Sequence, residues 1–244
     1  MTFSDDEIER YARHLVLAEV GGPGQQRLKA ARVGLVGLGG VGAPAALYLA
    51  AAGMGTLRLI DDDTIALSNL QRQIAFATTD VGRAKVEAGA ATLTALNPHV
   101  RIEPLADRLV AANAAGLIAG CDVIIDGSDD FPTRLAVNAA CVAAGIPLVS
   151  GALGRWSGQV GVFAGRPCYR CLVPAVPPGA ETCARVGVIG ALAGVVGSMA
   201  ALEAIKLVAG AGETLTGRLL IYDGLAGTAR TVAVAADPDC PVCG

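Results

Sequence analysis

Short apolar runs alternate with longer alanine-rich stretches over residues 31–150, and this alternation predicts strands that are each followed by a helix. The strand-like runs are 32–36, 56–60, 122–126 and 146–150, and the helix-like stretches are 43–52, 81–96 and 133–144. Strands that alternate with helices build a parallel sheet with helices on both faces. We therefore predict a doubly wound α/β sheet over residues 31–155.

The pattern changes at both ends of the chain. Residues 1–30 are the most charged stretch, and their rough helical spacing is interrupted by Gly21-Gly22-Pro23-Gly24, which predicts an N-terminal helical appendage that stops there. The last part, residues 156–244, contains strand-like runs at 159–163, 218–222 and 230–234 and one helix from about Gly187 to Ala209. We expect these strands to extend the sheet as antiparallel neighbours, so that one compact domain with a mixed sheet results.

Composition and charge narrow the class of partner. The 244 residues are 53% hydrophobic and carry a net charge of −3, which supplies no broad positive field for a nucleic acid. Mean hydropathy is +0.53, but the long uncharged runs are broken by glycine or polar residues, or are too short to span a bilayer. The acidic N-terminus is unlike a signal peptide. We expect a cytoplasmic protein that binds neither nucleic acid nor membrane.

A glycine turn stands where a nucleotide fingerprint must stand. Gly37-x-Gly39-x-x-Gly42 follows the first strand-like run and opens the next helix. Backbone N–H groups and the helix dipole can receive phosphate there, and Asp61, at the end of the second strand, can accept hydrogen bonds from ribose hydroxyls. A glycine-rich corner with a capping aspartate would show the same residues, and they do not select the nucleotide.

Two cations and two carboxylates favour a nucleoside triphosphate. Arg72 follows the acidic strand end closely, and Lys85 opens the next helix. Displacement at a triphosphate needs cations that stabilise the α-phosphate and the departing pyrophosphate, whereas a dinucleotide dehydrogenase does not. Asp129 and Asp130 follow the third strand and can hold Mg²⁺, although either could cap a helix and both cations could be solvated surface charges. With two histidines and no serine elbow, hydrolysis by a histidine-based triad is disfavoured.

Four of the seven cysteines form two Cys-x-x-Cys pairs, Cys168 with Cys171 and Cys240 with Cys243. This spacing predicts one tetrahedral zinc site with four thiolates and no open position for catalysis. A redox motif would open a helix in a βαβ unit, a context that neither pair shows. Cys183 follows a proline-rich loop, and both a reactive and an inert thiol fit that position.

In combination these motifs resemble the ThiF/MoeB/HesA family of adenylyltransferases, the bacterial relatives of ubiquitin-activating enzymes, over nearly the whole chain. The string Pro167-Cys-Tyr-Arg-Cys-Leu172 is most similar to the molybdenum-cofactor and thiamine branch. The resemblance implies a Rossmann-like fold that uses ATP and Mg²⁺ to adenylate the C-terminal Gly-Gly carboxylate of a small ubiquitin-like sulfur-carrier protein. Pyrophosphate is released, and the activated carrier serves molybdopterin or thiamine synthesis or tRNA thiolation.

The resemblance also implies roles for individual residues. The ATP-binding set is Gly37, Gly39, Gly40, Gly42, Asp61, Asn69, Arg72, Gln73, Lys85, Asp129 and Asp130. Within this set, Asp61 takes the ribose, Arg72 and Lys85 hold the triphosphate together with Asn69, and Asp129 binds Mg²⁺.

Two further residues carry implied roles outside that set. Arg13 corresponds to an arginine that reaches into the neighbouring subunit's ATP site, which implies a homodimer. Cys183 matches a loop cysteine that bonds covalently to the carrier in some members. The chain ends after the second cysteine pair without a sulfurtransferase extension, so a separate protein is expected to donate the sulfur.

Two other functions stay open on the sequence alone. An NAD-dependent oxidoreductase would use the glycine turn and Asp61 but leaves Arg72, Lys85 and the cysteine pairs unexplained. A non-catalytic, zinc-stabilised module that binds the carrier has no need to keep Arg72, Lys85 and Asp129 together. We favour adenylation, with residues 31–155 binding ATP and residues 156–244 binding the carrier and zinc.

Overall fold

A mixed sheet forms the centre of the molecule in a computed structural model that describes residues 2–176 and 187–244. Over these residues the sheet has eight strands in the order β3-β2-β1-β4-β5-β6-β7-β8. The strands are β1 (Arg32–Val36), β2 (Thr56–Ile60), β3 (Arg101–Leu105), β4 (Val123–Asp126), β5 (Leu148–Leu153), β6 (Ser157–Phe163), β7 (Arg218–Asp223) and β8 (Thr228–Ala233). Strands β1 to β5 pair in parallel, and β6, β7 and β8 continue the sheet in antiparallel fashion. The predicted doubly wound mixed sheet is confirmed.

Helices cover both faces of this sheet. They are α1 (Asp5–Arg10), α2 (Ala12–Leu15), α3 (Gly21–Ala30), α4 (Gly42–Ala51), α5 (Lys85–Leu96), α6 (Ala114–Ile118), α7 (Phe131–Ala144), α8 (Tyr169–Leu172) and α9 (Gly190–Ala209). One core, which includes Leu35 and Leu49, lies between the sheet and α3, α4, α5 and α9. A second core, which includes Ile124 and Val137, lies between the opposite face and α6, α7 and α8.

Several elements differ from the sequence prediction, among them α3, α5 and β3. Gly21-Gly22-Pro23-Gly24 begins α3 instead of stopping a helix, because the first N–H groups of a helix have no partner within it and proline loses nothing there. The helix predicted from residue 81 begins at Lys85, after a 3₁₀ turn at Thr78–Asp80 and Gly82 at φ +90°. Strand β3 was missed because it contains Pro104, and it lies at the sheet edge, where proline is tolerated.

Helix α9 is long and apolar enough to cross a membrane, with a mean hydropathy of 1.7 in its most apolar window, and it is the one such helix in the described part of the chain. It packs against α3, α4, β5 and β6. A Cβ at Gly197 would lie 2.5 Å from the Pro44 ring, so glycine permits the close approach of α9 to α4. Within this apolar window, 44% of the helix is buried, and packing in the core accounts for that part.

Candidate functional site

A cleft of about 470 Å³ opens at the carboxyl ends of β1, β2 and β4. Strand β1 lies between β2 and β4, so successive connections leave it in opposite directions. Ligands of doubly wound proteins bind at such a reversal of strand order. Ten of the eleven residues predicted to bind ATP line the cleft: Gly37, Gly39, Gly40, Asp61, Asn69, Arg72, Gln73, Lys85, Asp129 and Asp130.

The glycine turn brings backbone to the floor of the cleft. Gly37 has φ +82°, and a Cβ at Gly42 would lie 1.9 Å from the Gly37 carbonyl oxygen, so both positions require glycine. Gly42 does not line the cleft; its part is to close the turn and begin α4. The N-terminus of α4 therefore faces the cleft with its positive dipole end, which favours bound phosphate.

Asp61 is buried at the end of β2 and binds the glycine turn. Its carboxylate oxygens accept hydrogen bonds from the backbone N–H groups of Leu38, at 2.6 Å, and Asp63, at 2.9 Å. Burial raises the pKa of Asp61, while the Lys85 ammonium, 3.8 Å away, and these two N–H groups oppose the shift. The remaining lone pairs of the carboxylate are the ones that could accept ribose hydroxyls.

Lys85 forms a shorter ion pair with a residue that the sequence analysis missed. Its Nζ atom lies 2.7 Å from a carboxylate oxygen of Asp63, which is largely exposed at the mouth of the cleft. Lys85 itself is only 5% exposed. An incoming phosphate can replace the exposed Asp63 as the partner of this buried ammonium. The run Asp61-Asp62-Asp63 was the available signal for an additional acidic partner.

The segment that follows β2 contributes one cation and two amides. Arg72 packs its side chain against Gly40 and donates one hydrogen bond to the Ser68 carbonyl. Gln73 is 3% exposed, and its amide oxygen has no hydrogen-bond partner among the described residues. A buried acceptor of this kind is satisfied when a ligand offers a hydroxyl or amino donor. The amide oxygen of Asn69 accepts a hydrogen bond from the Ala66 N–H group.

The loop between β4 and α7 separates the roles of its two aspartates. Asp130 is the N-cap of α7, because its carboxylate accepts from the Thr133 N–H group at 2.9 Å. Asp129 is exposed at the cleft and forms no such cap. The helix-cap interpretation therefore applies to Asp130, and Asp129 keeps its oxygens for a cation. Arg108, which also lines the cleft and lies 4.0 Å from Asp130, was missed because it follows the unrecognised strand β3.

The four paired cysteines meet beside α7, where Cys168 contacts Asn138, and none of the four lines the cleft. Their sulfur atoms all lie within 4.8 Å of one another, with 3.7 Å between Cys168 and Cys240 and 3.5 Å between Cys171 and Cys243. A tetrahedral zinc ion about 2.3 Å from each thiolate holds sulfur atoms about 3.8 Å apart. Burial opposes ionisation of Cys240, but the backbone N–H groups of Cys243 and Val242 lower the pKa of this thiol to about 7. Burial and hydrogen bonds with Cys168 and Cys171 raise the pKa of Cys243 to about 12. The spacing of the four sulfur atoms is the observation that fits structural zinc.

Two predicted residues outside the ATP-binding set are also not placed at the cleft. Arg13 is exposed on α2 and does not line the cleft of its own chain. The preceding Tyr11 anchors this region, since its buried hydroxyl accepts from the Asn97 amide at 2.8 Å. Cys183 lies outside the described residues. The roles of Arg13 and Cys183 stay predictions.

Comparison with known proteins assigns the family. A model of the ThiF family matches residues 11–242. The chain belongs to the ThiF family. It is 49% identical to the SAMP-activating enzyme E1 of Haloferax volcanii, over 100% of this chain and 92% of that protein. It is 45% identical to the sulfur carrier protein adenylyltransferase of Thermus thermophilus, over 100% and 93% of the two chains.

Further relatives agree with this membership. The ThiF-family chain is 45% identical to the molybdopterin-synthase adenylyltransferase of Escherichia coli, over 99% of this chain and 98% of that protein. Among solved structures, Escherichia coli MccB superposes with a TM-score of 0.85 over 100% of this chain and 76% of that chain, at 23% identity, which shows a shared fold. The family predicted from the glycine turn, the basic residues and the cysteine pairs is confirmed, and the close relatives are adenylyltransferases by name.

The raised pKa of Asp61 predicts a pH dependence of nucleotide binding. As the pH falls toward the pKa of Asp61, the carboxylate takes up a proton and can accept fewer hydrogen bonds from ribose hydroxyls. We expect ATP affinity to fall over a pH range above that of an ordinary aspartate, and Asp61→Asn to bind ATP about tenfold to a hundredfold more weakly at neutral pH. Calorimetric titration with ATP across this range checks the prediction, and a flat wild-type affinity would contradict it.

The same carboxyl group affects stability with the opposite sign. Because the folded-state pKa of Asp61 lies above the unfolded-state value, the folded chain holds more protons between the two values. The contribution of Asp61 to the free energy of unfolding therefore rises as the pH falls through that window. Urea unfolding of the wild type and Asp61→Asn over the same pH series separates this effect from other groups.

Proposed function

We propose that this ThiF-family protein uses ATP and Mg²⁺ to adenylate the C-terminal Gly-Gly carboxylate of a small ubiquitin-like sulfur-carrier protein, releasing pyrophosphate. The observation that carries the proposal is the meeting of Arg72, Lys85 and Asp129 around the glycine turn at one cleft. The names of relatives at 45–49% identity supply the substrate class, a sulfur-carrier protein. The reaction runs in the cytoplasm, and a separate donor supplies sulfur afterwards.

In this reaction a carboxylate oxygen of the carrier attacks the α-phosphorus of ATP. The bond from that phosphorus to the bridging oxygen breaks, and pyrophosphate leaves with the electron pair. A terminal carboxylate is already ionised at neutral pH, so no general base is needed, and positioning and charge stabilisation carry the catalysis. Arg72 and Lys85 stabilise the charge of the triphosphate and of the leaving group. Asp61 and Gln73 hold the ribose.

Asp129 is the residue that would hold Mg²⁺. Its exposed carboxylate lines the cleft, in a loop that lies against the glycine turn, and carboxylate oxygens are preferred ligands of this ion. When bound, Mg²⁺ neutralises phosphate charge and orients the triphosphate. The cysteine cluster would hold zinc away from the cleft, where the metal joins the segment after β6 to residues 240–243.

Arg13 completes the site from a second subunit in this proposal. Its exposure on α2 and its absence from the lining of its own cleft support a role across a homodimer interface. Tyr11 fixes the base of this segment against Asn97. Arg13 would then add a second guanidinium to the triphosphate of the partner subunit.

The decisive experiment is ATP–pyrophosphate exchange with candidate sulfur carriers. Each carrier is compared with the same carrier lacking its last glycine. Exchange that needs the intact tail supports the proposed function. ATP binding without exchange on any carrier favours the non-catalytic module, and binding of NAD in place of ATP favours the oxidoreductase.

The surface around the exposed Trp156 is the proposed docking site for the carrier body. A second, shallow cleft is lined by Arg155, Trp156, Ser157, Asp223 and Leu225. Trp156 is 44% exposed and Leu225 is 73% exposed. Leu153, three residues before Trp156 on the same hairpin, lines the ATP cleft, so this hairpin contributes residues to both clefts.

We expect Trp156→Ala to raise the KM for the carrier about tenfold or more without changing ATP affinity, because a central aromatic anchor dominates an interface. Leu96→Ala is a matched control, since Leu96 is also a partly exposed apolar residue but lies at the far end of α5. Exchange kinetics at varied carrier concentration measure the effect. An unchanged KM in Trp156→Ala would place the docking surface elsewhere.

A further inference from the structure

Arg134 is a buried cation in the lining of the cleft, and the proposed reaction does not use it directly. It lies on α7 and is 7% exposed. Its guanidinium donates to the carbonyl oxygens of Ser128 and Gly151, the latter at 2.8 Å, and to the Ser150 hydroxyl at 3.1 Å. These acceptors belong to two different segments, the loop after β4 and strand β5. Arg134 therefore ties the loop that carries Asp129 to the neighbouring strand.

The residue before Asp129 is held from two sides. Arg134 binds the carbonyl oxygen of Ser128, while Asp126 accepts from its N–H group at 3.0 Å and from its hydroxyl at 2.6 Å. The other carboxylate oxygen of Asp126 lies 3.8 Å from Arg134. The buried pair of Arg134 and Asp126 therefore fixes the orientation of the peptide bond between Ser128 and Asp129.

The guanidinium also interacts with Tyr169, which lies on α8. Burial raises the pKa of Tyr169, and the positive charge of Arg134 opposes the shift. The N–H group of Tyr169 donates to the Asn138 side chain at 2.8 Å. The Asn138 amide in turn lies 3.5 Å from the Cys168 sulfur. A continuous series of contacts therefore runs from the cysteine cluster along α7 to the Asp129 loop.

From this arrangement we infer that Arg134 is a positioning residue, which orients the Asp129 carboxylate toward the metal-bound triphosphate by clamping Ser128 to β5. The inference rests on the proposed function. A planar guanidinium suits this task because its fork of donors reaches several acceptors in fixed directions, which an ammonium cannot do. A buried charge adds little net stability in most proteins, whereas a fixed set of hydrogen bonds defines geometry. The clamp acts on metal use more than on nucleotide binding.

The test is the Mg²⁺ dependence of ATP–pyrophosphate exchange in Arg134→Lys. This variant keeps the charge but loses the fork. We expect the Mg²⁺ concentration for half-maximal exchange to rise about tenfold, while the rate at saturating Mg²⁺ changes less than about threefold. A second readout is the binding of Mn²⁺ to the enzyme–ATP complex, followed by electron paramagnetic resonance, which should weaken by a similar factor.

Arg58→Lys is the matched control. Arg58 is also a largely buried arginine that donates to two backbone carbonyls, those of Leu117 and Ala119, but it does not line the cleft. It should lose comparable thermal stability with an unchanged Mg²⁺ midpoint. A purely structural role for Arg134 predicts that the two variants behave alike, and that result would overturn the inference.

Milder variants keep the test decisive if Arg134→Lys fails to fold. Ser150→Ala removes one hydrogen bond to the guanidinium, and Tyr169→Phe removes the phenol oxygen that interacts with it. A two- to threefold rise in the Mg²⁺ midpoint in these variants supports the clamp. Wild-type midpoints in both would overturn it. Failure of the proposed function is separate, because it would show as absent exchange in the wild type.

Discussion

Replacing Asp129 by alanine should reduce ATP–pyrophosphate exchange by about a thousandfold while leaving the fold intact. The carboxylate is exposed at the cleft, and the cap of α7 is supplied by its neighbour Asp130, so no described structural element depends on it. What is lost is the oxygen ligand for Mg²⁺ and the charge neutralisation that the ion brings to the triphosphate. Exchange assays at varied Mg²⁺, together with a thermal melt, measure both parts of the prediction.

Asp130→Ala is the informative companion to this variant. It removes the N-cap of α7 and should cost about 1 kcal/mol of stability, with a much smaller loss of exchange. The two neighbouring aspartates should therefore separate function from stability. Full exchange in Asp129→Ala with Mg²⁺ present would remove Asp129 from the metal site.

Removal of zinc should lower the melting temperature by about 10 °C or more. The four thiols are brought within 4.8 Å of one another. Because metal binding is coupled to folding, removal of the ion loses the free energy that four zinc–sulfur bonds add to the folded state. We expect metal analysis to find about one zinc per chain, and chelation or Cys240→Ser to destabilise the protein. Thermal unfolding before and after chelation is the measurement.

Cys141→Ala serves as the control for this experiment. Cys141 is buried in the second core, where burial raises the pKa of its thiol to about 12, and it is not part of the cluster. Its replacement should leave the zinc content unchanged. Protein that is purified without metal and melts at the same temperature as the zinc-loaded form would refute the cluster as a zinc site.

The parts of the fold that could be predicted are those with a repeated local pattern. Strand β1, the glycine turn and α4 follow from an apolar run, glycines at fixed spacing and an alanine-rich stretch. Strand β3 gave no such signal, because its five residues include Pro104 and two charged residues and it forms an edge. Helix α6 has five residues, too few for helical periodicity to be visible.

The residues of the site also fall into those that a local sequence pattern predicts and those that it does not. Residues next to a recognised turn or strand end, such as Lys85 and Asp129, were predicted and do line the cleft. Arg134 was not, because a single arginine in an alanine-rich helix has the pattern of a solvent-exposed charge. Its acceptors on β5 are 16 and 17 residues away, and only the parallel pairing of β4 with β5 brings them together.

The cysteine cluster also affects the order in which parts of the molecule unfold. Cys168 and Cys240 are 72 residues apart, so a metal that joins them closes a long loop containing α9, β7 and β8. A cross-link of that span lowers the entropy of the unfolded chain by the equivalent of about 4 kcal/mol in the loop-closure model. With the metal bound, the β7–β8 hairpin stays tethered to the rest of the domain at both ends, so it re-forms quickly after any local unfolding. Resistance of this hairpin to proteolysis should therefore follow metal occupancy, as a kinetic property separate from catalysis.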